Sequence, residues 1–118
     1  MKKVATIILV LTMLLSLVSC VNDSAKGSVV RKSSSGDAVL DIMPQKMLEM
    51  VDIGEIAVVR IGKFSAEMPF VDERIEEEGK LQLLLDREEW GVSICIYNQD
   101  FCQIYDIDLG DRVKISGK

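Results

Sequence analysis

From Gly54 onward, apolar and polar residues alternate along the chain, and this alternation is the feature that most limits the fold. A period of two places successive side chains on opposite faces of a strand, so that one face is buried and the other meets water. The pattern predicts four strands and therefore a mainly β chain. The apolar residues of their inner faces are Ala57, Val59 and Ile61, then Leu81, Leu83 and Leu85, then Val92, Ile94 and Ile96, and finally Val113 and Ile115.

The second and third of these strands form a predicted β-hairpin, joined through residues 86–91. Upstream of the strands, apolar residues at helical spacing predict a short N-terminal helix that begins near Pro44. The methionines of this segment favour core packing over a soft metal site. They are Met43, Met47 and Met50.

Composition excludes several kinds of chemistry. The chain has 118 residues and no His, which rules out Ser-His-Asp and Cys-His nucleophile pairs, His-ligated zinc and an imidazole proton shuttle. Its 14 Lys and Arg against 19 Asp and Glu give a net charge of −5, which opposes the basic surface that nucleic-acid phosphates require. We therefore expect one small domain that is not an enzyme and needs no cofactor or metal.

The N-terminus has the layout of a secretory signal. Lys2 and Lys3 precede residues 4–19, which carry no charge and are rich in Leu, Ile and Val. The stretch ends in Leu17-Val18-Ser19-Cys20, which resembles the lipobox of bacterial lipoproteins. By this resemblance residues 1–20 are a lipoprotein signal peptide, and Cys20 is diacylated and becomes the new N-terminus. The alternative is an uncleaved spanning helix, since the apolar run reaches the length of about 18 residues at which spanning begins.

The residue after the cysteine is Val21. In Gram-negative lipoproteins an Asp there commonly retains the protein in the inner membrane, so the resemblance implies the outer membrane, or the outer face of the cytoplasmic membrane in other bacteria. Residues 21–36 are rich in Ser and Gly and are predicted to be a flexible linker, which holds the domain about 20 to 25 Å from the membrane. Residues 37–118 form the predicted β domain, with 18 acids and nine bases.

The chain also resembles an OB-fold over residues 52–118. The resemblance rests on a strand with Val-Val-Arg-Ile-Gly, a Gly-Lys-Leu-x-Leu-x-Leu-Asp strand, a hairpin into Gly-Val-x-Ile-x-Ile, and Leu-Gly-Asp-Arg-Val-Lys-Ile-Ser-Gly over 109–117. It is similar to the anticodon-binding-like nucleic-acid OB modules and to small periplasmic OB-fold proteins. Such a barrel has five strands and binds ligands on its second and third strands. Only four strands are clear, so the fifth comes from the N-terminal segment or another copy of the chain, or the barrel is incomplete.

Candidate ligand-binding residues follow from this placement. Trp90 and Tyr97 flank the third strand of the resemblance, and aromatic rings there suit stacking on bases or sugars. Arg60, Lys63 and Lys114 supply positive charge. For these bases the alternative is an ordinary role as exposed, solubilising residues.

Two cysteines remain if Cys20 is lipidated. Cys95 and Cys102 form either a disulfide, which an exported protein permits, or two buried thiols. The acidic segment 72–79 is either a solvated loop or a site for a basic protein, a cationic peptide or a divalent ion. No catalytic residue and no metal ligand is predicted.

Together these features predict a lipid-anchored protein of the cell envelope with a non-catalytic, OB-like binding module. Its expected partners are the membrane, through the lipid on Cys20, and an envelope protein or glycan. A nucleic-acid-binding OB protein is the alternative that the resemblance supports and the acidic domain opposes. A truncated paralogue without a function of its own is the second alternative.

Overall fold

The computed structural model describes residues 24–118, and the strands in this range close into a barrel. The elements in chain order are β1 (Ser24–Lys32), β2 (Ala38–Leu40), α1 (Pro44–Met50), β3 (Ile56–Ile61), β4 (Phe64–Val71), β5 (Leu81–Asp86), β6 (Gly91–Ile96), α2 (Phe101–Ile104) and β7 (Arg112–Gly117). The strands lie in the order β1-β2-β6-β5-β4-β3-β7, and β7 pairs with β1. The predicted mainly β barrel with a short helix at Pro44 is confirmed. Among these residues, no helix has the length and apolar composition needed to cross a membrane.

The barrel interior is filled by the alternating apolar residues of the sequence. Each predicted inner face is turned inward, because burying one apolar face of every strand is what stabilises a closed sheet. On the predicted inner faces of β3, β5, β6 and β7, six residues are completely inaccessible to solvent. They are Ala57, Val59, Leu83, Leu85, Ile94 and Ile115.

The barrel is closed by β1, which has two different neighbours along its length. Its first half pairs antiparallel with β7, from Ser24↔Ser116 to Ser28↔Arg112, and its second half pairs with β2. The strand changes partner between Ser28 and Val29, and its register with β2 then shifts between Val29 and Arg31. The prediction of a flexible linker over 21–36 is therefore wrong for the residues of β1. Its Ser and Gly content conceals a strand whose inward residues, Ala25 and Val29, are buried in the core.

The strand β4 is absent from the sequence prediction. The alternation after Gly54 predicts one long strand ending near Phe64, but β3 stops at Ile61 and the chain turns back through Gly62 and Lys63 into β4. Pro69 conceals this strand, because proline lacks the N–H that a ladder requires. The proline is tolerated because the parallel ladder between β4 and β5 begins one residue later, at Phe70↔Leu83.

The two helices cover opposite ends of the barrel. At one end α1 buries Met47, as predicted, whereas Met43 is exposed instead of packed. At the other end α2 places the fully buried Phe101 against Phe64 and Tyr105, with ring centroids 5.2 and 5.3 Å away. Aromatic contacts of this kind add about 1 kcal/mol to the burial of the rings. The helices therefore close the barrel ends that the strands leave open.

Residues 72–80 cross over the outside of the barrel. Strands β4 and β5 are neighbours and run parallel, so the chain must travel back outside the sheet before β5 begins. On the way the backbone of Gly79 donates to the carbonyl of Tyr97 at 3.2 Å, and the N–H of Tyr97 donates to the carbonyl of Lys80 at 3.1 Å. We call residues 72–80 the crossover segment. It covers the outer face of β5 and β6.

Because β1 pairs with both β2 and β7, its removal should open the barrel. Residues 21–118 contain every strand and the whole described core, and we expect them to give a dispersed amide NMR spectrum and one cooperative urea transition. Residues 37–118, the domain that the sequence predicts, leave two strand edges unpaired and should give a collapsed spectrum. Dispersed spectra from both chains would contradict the closing role of β1.

Candidate functional site

The site is built on the turn between β1 and β2. Gly36 adopts a positive φ of 88°, and a Cβ at this position would collide with the Asp100 carboxylate of the α2 N-cap. Its carbonyl accepts a hydrogen bond from the N–H of Cys102 at 2.9 Å, and its N–H donates to the carbonyl of Ser33 at 3.0 Å. The turn is thus held against α2, and it fixes the position of the next residue, Asp37.

Asp37 is a carboxylate inside the protein. Only 5% of the residue is exposed, and its Oδ2 accepts a hydrogen bond from Nη2 of Arg74 at 3.2 Å. Its backbone N–H donates to Oγ of Ser33 at 3.0 Å. Within the described residues, its Oδ1 is buried without any hydrogen-bond partner. A buried acceptor left in this state costs about 1–3 kcal/mol, so Asp37 is poised to accept a hydrogen bond.

A cavity of about 260 Å³ adjoins this pair. Asp37 and Arg74 line it together with side chains from β1, β5, the β5–β6 turn and β6. The charged and hydroxyl-bearing ones include Arg31, Asp86, Glu89 and Ser93. Its lining therefore contains three carboxylates and two guanidinium groups, which favours a ligand that is neutral or cationic and rich in hydrogen-bond donors. A larger cavity of about 600 Å³ beside Gly54 and Gly117 has no comparable buried polar group among the described residues.

Gln82 holds the crossover segment, and with it Arg74, over the barrel. Although Gln82 lies in a strand of leucines, it points outward and is fully buried. Its Oε1 accepts from the N–H of Ile75 at 2.7 Å, and its Nε2 donates to the carbonyl of Ile75 at 3.1 Å and to that of Lys80 at 3.2 Å. These three bonds fix the backbone next to Arg74, which lets the guanidinium reach Asp37.

Cys95 is another buried polar residue under the crossover segment, in addition to Gln82. It lies opposite Gln82 in the register of β5 and β6 and is fully buried. Burial raises the pKa of its thiol to about 11; the charge of Asp37 acts in the same direction, and Arg74 acts against it. The thiol therefore stays protonated at neutral pH and is a poor nucleophile.

Of the two alternatives for the cysteines, the structure shows two buried thiols and not a disulfide. Cys95 and Cys102 are both free and buried. Cys95 lies on the outer face of β6 beneath the crossover segment, whereas Cys102 in α2 belongs to the core cluster. Burial also raises the pKa of the Cys102 thiol.

The predicted ligand-binding residues are divided between two sides of the barrel. Arg60 of β3 and Lys114 of β7 are direct cross-strand neighbours, and Lys63 lies in the adjoining β3–β4 turn. Trp90 and Tyr97 belong to the opposite side, where β5 and β6 form the predicted hairpin. The structure thus places the three predicted bases next to one another, but it places the two aromatic residues on the other side of the barrel.

Trp90 and Tyr97 do not form one stacking platform. They lie at the two ends of β6, which at about 3.3 Å per residue are roughly 20 Å apart. Trp90 has a positive φ of 53° and is 44% exposed, and its neighbours Glu89 and Gly91 both line the Asp37 cavity. A bulky residue held in the left-handed region is uncommon, which makes the β5–β6 turn part of the candidate site. The backbone of Tyr97 instead anchors the crossover segment.

Sequence reasoning does not find Asp37, Arg74 or Gln82. In the sequence Asp37 directly follows the predicted linker, and Arg74 is a single base within the acidic segment 72–79. The acids Glu73, Glu76, Glu77 and Glu78 of that segment are exposed, as a solvated loop requires. The sequence feature that could have indicated the site is Gln82, the one polar residue in Leu81–Leu85, because a polar side chain inside such a run needs a hydrogen-bond partner. Cys20 lies outside the described residues.

The fold and the site define a closed seven-stranded β-barrel, within residues 24–118, that carries a buried carboxylate paired with a guanidinium beside a small cavity. The barrel is similar to that of an uncharacterized conserved protein from Thermotoga maritima, with a TM-score of 0.72 and 20% sequence identity over 80% of this chain and 36% of that chain. It is also similar to a conserved hypothetical protein from Thermus thermophilus, with a TM-score of 0.56 and 14% identity over the same shares. This chain spans about a third of the length of those proteins, and the likeness shows the fold. No known protein family and no curated protein matches the sequence.

The raised pKa of Cys95 predicts a loss of stability in alkali. The unfolded chain releases this proton near the ordinary thiol pKa, and the folded chain releases it only near 11. The stabilising contribution is therefore complete below the ordinary pKa and is lost as the pH rises through 11, by about 3 kcal/mol in all, of which about 2 kcal/mol is lost by about pH 10.5.

Urea unfolding with a reductant, at about pH 8 and about pH 10.5, measures this loss. The fall in unfolding free energy should be about 2 kcal/mol smaller in Cys95→Ala than in the wild type. Cys102→Ala leaves Cys95 in place and should retain most of the wild-type fall. Equal falls in the wild type and in Cys95→Ala would show that Cys95 is not the titrating group.

Proposed function

We propose that this chain is an exported, lipid-anchored, non-catalytic binding protein, and that its barrel holds a small ligand in the cavity beside Asp37 and Arg74. The observation that carries the binding role is the buried Oδ1 of Asp37, which has no hydrogen-bond partner among the described residues. Asp37 lines the cavity, so rotation of its carboxylate would present this oxygen to a ligand that supplies the missing donor.

The ligand class follows from the chemistry of the pair. The Asp37 carboxylate accepts hydrogen bonds, and the Arg74 guanidinium donates them, so a ligand with an N–H donor next to an acceptor satisfies both. The volume of about 260 Å³ accommodates only a small molecule. Because acids outnumber bases in the lining, a neutral or cationic nitrogen compound suits the cavity better than an anion.

A non-catalytic role agrees with the groups that the cavity offers. The Cys95 thiol, buried beneath the crossover segment, is protonated at neutral pH because its pKa is raised to about 11. The chain contains no His that could act as its general base. A binding site uses the Asp37–Arg74 pair directly and needs neither group.

The proposed anchor is the lipid on Cys20, with export to the cell envelope. What supports it is the Lys-flanked apolar run that ends in Leu-Val-Ser-Cys. The small closed barrel, entered at its last strand through Leu109-Gly110-Asp111, supports the OB-like interpretation. The N-terminal segment supplies β1 and β2, which complete the ring. Nucleic-acid binding is kept as the alternative because Arg60 and Lys114 are neighbours.

Amide NMR titration of residues 21–118 tests the cavity with three small probes: methylguanidinium, acetamide and acetate. Methylguanidinium and acetamide carry N–H donors and should shift the amides of Ser33, Asp37, Arg74 and Ser93, whereas acetate should not. Asp37→Asn removes the negative charge and should weaken methylguanidinium binding at least tenfold, since a hydrogen bond to a charged group contributes about 1.5–3 kcal/mol.

The control is Asp52→Asn, which makes the same change at an exposed position. It should bind as the wild type does, so that a general effect of net charge is distinguished from a local one. Probe binding that is equal in the wild type and in Asp37→Asn would contradict the proposed ligand site, and so would the absence of any shift in the wild type.

Labelling of the full chain with radioactive palmitate tests the anchor separately. Expressed in a bacterium that processes lipoproteins, the wild type should incorporate label and lose residues 1–19. Cys20→Ser should do neither, and Cys102→Ser should behave as the wild type does. A membrane-bound wild-type chain that stays unlabelled and uncut would favour the alternative of a spanning helix.

A further inference from the structure

Three bases lie side by side on the outside of the barrel. Lys26 of β1 is directly opposite Lys114 of β7, and Lys114 is directly opposite Arg60 of β3. All three are exposed, because their neighbours in each strand point into the core. Adjacent strands are about 4.8 Å apart, so the three side chains form a row about 10 Å wide.

Two more bases extend this row. Arg112 lies two residues before Lys114 on the same face of β7, and Lys63 lies in the turn that follows β3. Within the described residues, none of these five bases takes part in an ion pair. We call Lys26, Arg60, Lys63, Arg112 and Lys114 the basic face. Four acids border the face. Glu67 is paired with Lys118 at 2.9 Å, Asp41 binds Ser28, and Asp106 and Asp111 line a cavity together with Lys63 and Arg112.

The basic face contrasts with the rest of the barrel. Residues 24–118 contain 18 acids and 12 bases, so five bases on one face leave seven bases and all 18 acids for the remainder. Like charges directly opposite each other in a sheet destabilise it, and here two such pairs are adjacent. An anionic surface that contacts this face would relieve that repulsion.

We propose that the basic face docks on the anionic phospholipid headgroups of the membrane that holds the lipid on Cys20; this rests on the proposed lipidation. Lys26 is six residues from Cys20, and at about 3.5 Å per residue it lies at most about 20 Å from the anchor. The barrel is therefore held at a high effective concentration beside the membrane, where weak attraction by several bases is enough.

The shape of the barrel favours a membrane over a nucleic acid as the occupant. A closed barrel is convex, so a flat surface contacts one face, and the acids on the far side of the barrel are turned away, beyond the screening distance of about 8 Å. A long nucleic-acid strand extends past a row about 10 Å wide and then meets the acids on both sides.

Vesicle sedimentation of residues 21–118, a chain without lipid, tests the proposal. The wild type should bind vesicles that contain roughly a third phosphatidylglycerol and should not bind pure phosphatidylcholine. Binding should weaken as salt rises from about 50 to about 300 mM. Because each base near an anionic surface strengthens binding about fivefold, changing Lys26, Arg60 and Lys114 together to Gln should weaken binding by about a hundredfold.

The matched control changes Lys32, Lys46 and Arg87 to Gln, which removes the same charge outside the basic face. This variant should bind the anionic vesicles within about threefold of the wild type, since the charges it loses lie away from the contact. The variant of the basic face should fold, because it removes two repulsive cross-strand pairs, and its melting temperature should equal or exceed that of the wild type.

Three outcomes would overturn the proposal: no binding to anionic vesicles, equal loss of binding in both triple variants, or binding of a single-stranded oligothymidylate in place of vesicles. The last outcome would favour the nucleic-acid alternative. Since this chain carries no lipid, a negative vesicle result leaves palmitate labelling of Cys20 unaffected. If Cys20 stays unlabelled but the chain binds anionic vesicles, the lipid anchor is contradicted and membrane binding by the basic face is supported.

Discussion

The double pairing of β1 is the constraint on which the rest of the structure depends. Its first half hydrogen-bonds to β7 and its second half to β2, with a register shift at the start of the β2 pairing. Without β1 the remaining strands form an open sheet with two exposed edges. The same strand leads into the turn that holds Asp37, and it contributes Lys26 to the basic face. One strand therefore helps to position both the cavity beside Asp37 and the basic face.

The parallel pairing of β4 and β5 explains why polar groups are buried on the outside of the barrel. A parallel neighbour requires a crossover, and the crossover segment buries the outer face of β5 and β6. Backbone groups of that segment then need partners away from water, which Gln82 provides through three hydrogen bonds. The same segment brings Arg74 against the barrel, and Asp37 is the carboxylate that pairs with its charge.

The sequence is informative wherever a strand has one apolar and one polar face. For β3, β5, β6 and β7 the period of two identifies both the strand and its buried side, and the helix at Pro44 follows from its own spacing. The sequence pattern fails to identify a strand where local composition and tertiary pairing disagree. The strand β1 is rich in Ser and Gly, and β4 contains Pro69. Asp37 and Arg74 are 37 positions apart in the chain, so no local pattern connects them.

For the charge of the chain, too, composition and spatial arrangement give different information. A net charge of −5 argues against any anionic partner, and it is a correct description of the chain as a whole. The arrangement of the bases depends instead on strand pairing and register. Lys114 meets Arg60 where β7 pairs with β3, and it meets Lys26 when β1 closes the ring. Attraction to an anionic surface is decided within about 8 Å, by the face that touches it, and not by the sum over the molecule. An acidic protein can thus present one basic face, provided that its topology, and not its composition, gathers the bases.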